Sequence, residues 1–261
     1  MTLFLSTCPL WLSALLVLVL PTSLVVCGCL VVRRTIKLEH LLENNEVAGF
    51  KFAVIGVIYA VLLGFAVIVV WEKLHDAEAA AVKEASGVIT VGRLAGGLDA
   101  AEASAVRQSL TAYGQAVIDD EWPAMAHGQA SPKASRALNA LYATVLAIEP
   151  HTPRESAAMG ALLTQLDVIT DGRRIRLMLA SGVVPGVLWA VLFGGGIATL
   201  SFTFFFGTRS VRAQAVMSGI LAATVFMALL VVIVLNYPFA GPVQVEPDIL
   251  ASAMNGFLDG H

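Results

Sequence analysis

Four long apolar stretches, set as two pairs around a polar middle, decide what this chain can fold into. They run from about Cys8 to Val32, from Phe50 to Trp71, from about Leu177 to Phe206 and from Val211 to Tyr237. Each offers the ~20 helical residues needed to cross a hydrocarbon core. The expected architecture is all-α: an integral membrane protein with four transmembrane helices in two pairs and an inserted extramembrane helical bundle. The expected organisation is a first helix pair with a short basic loop over residues 1–71 and a bundle over 72–176. A second pair over 177–237 and a C-terminal tail over 238–261 complete it.

Composition supports the same reading. Mean hydropathy is +0.80 and only 13% of residues are charged, against roughly 25% in soluble domains. The deficit lies in the four spans. A net charge of −3 offers no basic face for nucleic acid. Cys8, Cys27 and Cys29 all fall in the first span. Their odd number and their spacing fit neither a disulfide framework nor a zinc site, so they read as small apolar side chains. Met1 to Pro9 contains no Lys or Arg and the apolar run after it is long. The first span is therefore expected to be retained rather than cleaved as a signal.

Between the pairs, Glu72 to Arg176 reads as helices. Asp99 with Glu102 makes a capping box, and Val106, Leu110, Tyr113 and Val117 then share a face. Ser131-Pro132 starts a second helix with Leu138, Leu141, Tyr142, Val145 and Ile148 at helical spacing. Thr152 with Glu155 starts a third, followed by Met159, Leu162, Leu163, Leu166 and Ile169. A weaker stripe, Val82, Ala85, Ile89 and Leu94, stops at Gly96-Gly97. The second span has no breaker before Ser86 and is expected to continue out of the bilayer. The helix from Thr152 is expected to run through Arg176 into the third span. Asp119-Asp120-Glu121 reads as a helix end with a solvated acidic tip.

Small residues recur every fourth position in the spans: Gly56, Ala60 and Gly64, then Gly182, Gly186, Ala190, Gly194 and Ala198, then Ala215, Gly219 and Ala223. Such stripes let helices approach closely, because lipid offers no hydrophobic drive for association. They serve packing within the chain, a subunit seam or a pore. No ionisable residue lies deep in a span, which disfavours a proton-driven carrier. Phe202, Phe204, Phe205 and Phe206 form either an apolar constriction or an interfacial aromatic cluster. Glu39, His40, Glu43 and Glu46 lie close in sequence, but the simpler reading is a turn in which Asn44-Asn45-Glu46 caps the second span. Arg173, Arg174 and Arg176 are candidates for binding anions or lipid headgroups, with interfacial anchoring as the plainer role. His40, His75, His127, His151 and His261 form no spaced pair. No nucleophile elbow, phosphate loop or dinucleotide fingerprint is present. An enzyme is not expected, and no cofactor or metal is implied.

Lys and Arg bear on sidedness. Arg33, Arg34, Lys37, Lys51, Arg209 and Arg212 flank the two short loops, and Lys73, Lys83, Arg173, Arg174 and Arg176 lie near the membrane on the other face. The count favours short loops in the cytoplasm and the middle segment outside.

The run Asn45-Glu46-Val47-Ala48-Gly49 leads into Ile58-Tyr59-Ala60-Val61-Leu62-Leu63 and then Trp71. Further on stand Glu84-Ala85, Tyr113, Glu121-Trp122 and Tyr237-Pro238-Phe239-Ala240-Gly241-Pro242. Together these resemble the bestrophin-like family of bacterial membrane proteins, from about Arg33 to Pro247. Bestrophins are pentameric anion channels with four spans per subunit and a pore lined by the second. The resemblance implies that Gly56, Tyr59, Ala60 and Gly64 lie near the pore or a subunit seam. It implies a multi-pass protein of the bacterial inner membrane, a homo-oligomer in the lipid bilayer, with inorganic anions as partners. It also implies a cytosolic middle domain, opposite to the charge count. The alternative function is a membrane sensor or scaffold whose bundle binds a small ligand or a partner protein.

Overall fold

A computed structural model describes residues 2–43 and 45–258; Asn44 and His261 lie outside the described residues. Among these there is helix and no strand. Helix α1 (Thr2–Thr7) is followed by α2 (Leu10–Thr35) with a π-helical stretch at Leu15–Val19, then α3 (Leu38–Glu43) and the 50-residue α4 (Asn45–Leu94). Next come α5 (Ala100–Ala116), α6 (Pro132–Leu146), α7 (Pro153–Ala180), α8 (Gly186–Phe202), α9 (Val211–Leu235) and α10 (Asp248–Leu258). Helices α2, α4, α8 and α9 are long and apolar enough to cross a membrane.

The chain divides into two compact units. The membrane unit comprises Met1–Glu72 and Val183–Asn236. Here α9 packs on α2 and α8, and Leu192, Ala222, Leu229 and Ile233 are sealed between helices. Cys29 is buried and accepts a hydrogen bond from the Ser218 hydroxyl. Among the described residues the cysteines are free thiols.

The second unit, Lys73–Gly182 and Tyr237–His261, is the helical bundle. Its helices start where local chemistry dictates. The Asp99 carboxylate accepts from the Glu102 amide, and the Ser131 hydroxyl from the amides of Lys133 and Ala134. Thr152 and Glu155 form the full reciprocal box. Such caps satisfy amides that a helix start leaves without partners. The bundle core takes Val106, Leu110 and Tyr113 from α5, Leu138, Leu141 and Val145 from α6, and Leu162, Leu166 and Ile169 from α7. Gly172 is where α7 meets α4, since an added Cβ would stand 2.9 Å from the Ala80 carbonyl oxygen.

Four expectations change. The stripe of α4 that faces the bundle is Ala77, Ala81, Ala85, Val88 and Val91; Val82 is exposed, because one residue of phase moves it off the face. Tyr142 keeps its hydroxyl at the surface, hydrogen-bonded to Asp167 and Thr170. Helix α7 does not run into the third span. It stops at Ala180, Gly182 turns the chain with φ 96° against the Tyr237 ring, and α8 begins at Gly186 after Pro185. Last, the segment after Tyr237 is no mere tail: α10 lays Met254 over Gly114, which has no room for a Cβ.

Candidate functional site

Two places concentrate what the sequence singled out: the second span in the membrane unit and a charged core in the bundle.

In the second span, Gly56 and Gly64 have open space where a Cβ would be, and Ala60 between them is exposed. Val57, Val61, Phe65 and Ile68 beside them are also more than half exposed. Of the span's apolar window 22% is buried, against 11%, 28% and 44% for the first, third and fourth spans. This helix therefore finds few of its contacts within its own chain. Tyr59, Leu63, Ala66 and Val70 form its buried side, and Tyr59 makes the polar contact. The Tyr59 hydroxyl donates to the Leu192 carbonyl at 3.0 Å, and its ring lies where Gly195 and Gly196 leave space. Ala190 and Gly194 line a cleft of about 380 Å³ beside Tyr59. Gly186 opens α8 with nothing opposite it, and Gly182 belongs to the bundle's turn rather than to the third span. Trp71 is exposed.

The short loops of the membrane unit are stitched together. The Asn45 side-chain amide donates to the Gly207 carbonyl at 2.8 Å, and the Gly207 amide donates back to Asn45 Oδ1 at 3.0 Å. Arg33 donates to the Thr208 carbonyl. Phe206 meets Phe52 edge-on, with ring centroids 5.6 Å apart, and stands 3.8 Å from where a Cβ on Gly49 would be. Phe204 packs on Gly28. Asn45 is thus a clamp between the loops, whereas Glu46 is exposed. Glu39, His40 and Glu43 join no cluster able to hold a metal among the described residues.

The bundle's charged core overturns the reading of Glu121 as a solvated tip and of Arg173 and Arg176 as free anion ligands. A π-helical turn, Val117–Glu121, adds one residue to the helical register and carries Glu121 inward, where it is fully buried. Such bulges re-aim side chains that a regular helix would point elsewhere. Arg176 is likewise fully buried. Its Nε donates to Glu84 Oε2 at 2.8 Å and its Nη2 to Glu84 Oε1 at 3.1 Å and Glu121 Oε1 at 3.0 Å. Arg173 donates from Nε to Glu121 at 3.0 Å, and from Nη2 to Glu121 and to the Ser135 hydroxyl. Tyr113 donates to Glu84 at 2.7 Å. The Arg176 guanidinium sits 4.6 Å from the Trp122 ring centroid. Trp122 in turn meets Phe239 edge-on and donates from its indole to the Val245 carbonyl. Pro238 accepts from the Val245 amide and Gly241 turns the chain at φ 91°. Arg174 alone of the three arginines is exposed.

Two carboxylates and two guanidiniums balance in this core, so no net charge is buried. Burial pushes the Arg176 pKa down, but Glu84 and Glu121 more than offset it, and the net direction is up. Burial, and then the charge of Glu84, hold the Tyr113 phenol well above the usual tyrosine value. The sequence held a signal for this core: Leu162, Leu166, Ile169 and Arg176 fall on one face of α7 at steps of three, four and seven, and Glu84 stands among alanines on the buried face of α4.

Four membrane-crossing helices in two pairs with an inserted bundle define a multi-pass membrane protein. The Bestrophin-like domain model matches residues 19–250, and the chain belongs to that family. Among solved structures, it is similar to a single-substitution variant of a bestrophin homologue from Klebsiella pneumoniae. The TM-score is 0.72 at 14% identity, covering 92% of this chain and 99% of the other. A second variant of that homologue gives 0.70 at 14%, with 92% and 97% covered. A membrane-protein variant gives 0.72 at 14%, again with 92% and 97% covered. At this identity the likeness shows the fold. A search of curated proteins found no match.

Proposed function

We propose that this chain assembles as a homo-oligomer in the bacterial inner membrane and conducts ions, anions first among them. The observation that carries this reading is the second span: a membrane helix whose Gly56–Ala60–Gly64 face is exposed, with open space where a Cβ would stand on either glycine. Small residues facing outward suit a close helix contact or a narrow path. Six cations near the short loops, Arg33, Arg34, Lys37, Lys51, Arg209 and Arg212, against Glu39, Glu43 and Glu46, raise the local concentration of anions. The charged core of the bundle has a structural part: it fixes α4, α5 and α7 to one another.

The test is ion flux into vesicles holding the purified protein, alongside its mass in detergent. A chloride flux that Gly64→Leu abolishes, from a protein larger than a monomer, supports the proposal. A monomeric protein without flux overturns it.

A further inference from the structure

Beside the second span, at the short-loop end of the membrane unit, α4 and α8 leave a notch of about 350 Å³ lined by Val47, Ala48, Lys51, Phe202 and Phe205. Val47 and Phe205 are more than half exposed. Phe202 and Phe205 stand 5.8 Å apart, ring to ring, and form one wall. Val47 and Lys51 are one helical turn apart on α4, so the ammonium stands one turn along the other wall. Lys51 is exposed and has no carboxylate partner among the described residues. Arg34, Arg209 and Arg212 are exposed on the same side, and the loops bearing them are joined by the bonds from Arg33 and Asn45.

We propose that this notch binds an anionic phospholipid, with Lys51 on the phosphate and Val47, Phe202 and Phe205 along an acyl chain. The walls lie on spans whose solvent is hydrocarbon, and the cation stands where a span meets headgroups. A water-borne anion would match Lys51 and leave the apolar walls idle. An apolar side chain of a second copy would match the walls and leave a desolvated ammonium unpaired, a costly arrangement. A phospholipid satisfies both. Basic residues in pockets between membrane helices recognise headgroups in this way. The site is independent of conduction: its test reads lipid retention, so its failure would leave the channel proposal standing.

The experiment is native mass spectrometry of the full-length protein in a non-ionic detergent, titrated with phosphatidylglycerol or with phosphatidylcholine of the same chains. Wild type is expected to retain phosphatidylglycerol in preference. Lys51→Glu is expected to cut that preference about fivefold or more, the weight of one cation near a lipid surface. Lys51→Arg is expected to keep it, and Phe205→Ala to weaken retention of both lipids. Thermal unfolding of each variant shows whether it is folded; Lys51→Gln serves if Lys51→Glu is not. Equal retention of the two lipids by wild type overturns the proposal. So does an unchanged preference in folded Lys51→Gln, or displacement of the bound lipid by millimolar inorganic phosphate. A change in oligomer mass in Lys51→Glu without a change in lipid preference assigns the notch to a second copy and overturns it equally.

Discussion

Arg176 and Glu84 stand 92 residues apart in the chain and 2.8 Å apart in the fold, both side chains sealed from solvent. The pair ties the outer part of α4 to the end of α7. Removing one partner from a buried pair costs more than the pair itself contributes, because the survivor is left desolvated. Arg176→Met leaves Glu84 buried with the Tyr113 hydroxyl but no cation, while Glu121 keeps Arg173. The substitution is expected to destabilise the bundle by about 3–5 kcal/mol, read as a drop in the denaturation midpoint of the detergent-solubilised protein. Arg176→Met with Glu84→Gln is expected to recover part of that loss. A midpoint unchanged by Arg176→Met would show that the pair carries no weight.

Tyr113 gives the core a pH dependence. Its phenol is held neutral by burial and by Glu84, so its folded-state pKa lies above the unfolded value of about 10. The stability that this raised pKa contributes is fully present below that unfolded value. It is lost as pH climbs towards the folded-state pKa. The expected result is unfolding of the bundle at strongly alkaline pH, with a sharp rise in tyrosinate absorbance as it opens. In Tyr113→Phe the alkaline transition should broaden and its amplitude fall by one phenol.

Asn45 and Gly207 bond in both directions across the short loops. Asn45→Ala leaves a Gly207 amide and carbonyl without their partners, at a cost of about 1–3 kcal/mol. Faster hydrogen exchange at the Gly207 amide is expected, with the bundle amides unchanged. Asn45→Asp keeps an acceptor for the amide and should recover part of the protection.

Gly182 turns the chain between α7 and α8 at φ 96°, with the Tyr237 ring 2.7 Å from where a Cβ would stand. Gly182→Ala pays for both the backbone angle and the contact, and a loss of about 1–3 kcal/mol is expected. By contrast Gly186→Ala meets open space and is expected to leave the unfolding midpoint within about 0.5 kcal/mol.

On the count of Lys and Arg the bundle is expected outside the cell, opposite to what the family resemblance implies. Gln129 is exposed in the loop before α6, and Gln129→Cys is expected to react with an impermeant thiol reagent in intact cells, compared with the parent protein. Protection until lysis would place the bundle in the cytosol instead.

The sequence alone determined the four spans, the all-helical class, the bundle's start signals and the family. These rest on local properties: apolar run length, the capping chemistry at Asp99, Ser131 and Thr152, and short motifs. The tertiary structure decided which side of each helix mattered and what the charged residues were for. Glu121 looked solvated because three acidic residues in a row usually are, and a single π turn reversed that. Arg176 looked interfacial because it lies near a span, yet its step from Ile169 places it on the buried face of α7. Its partner Glu84 lies on another helix, so no local pattern could pair them. Asn45 looked like a cap and proved to hold a loop 162 residues away. Periodicity tells which residues share a face; only the packed helices tell what that face meets.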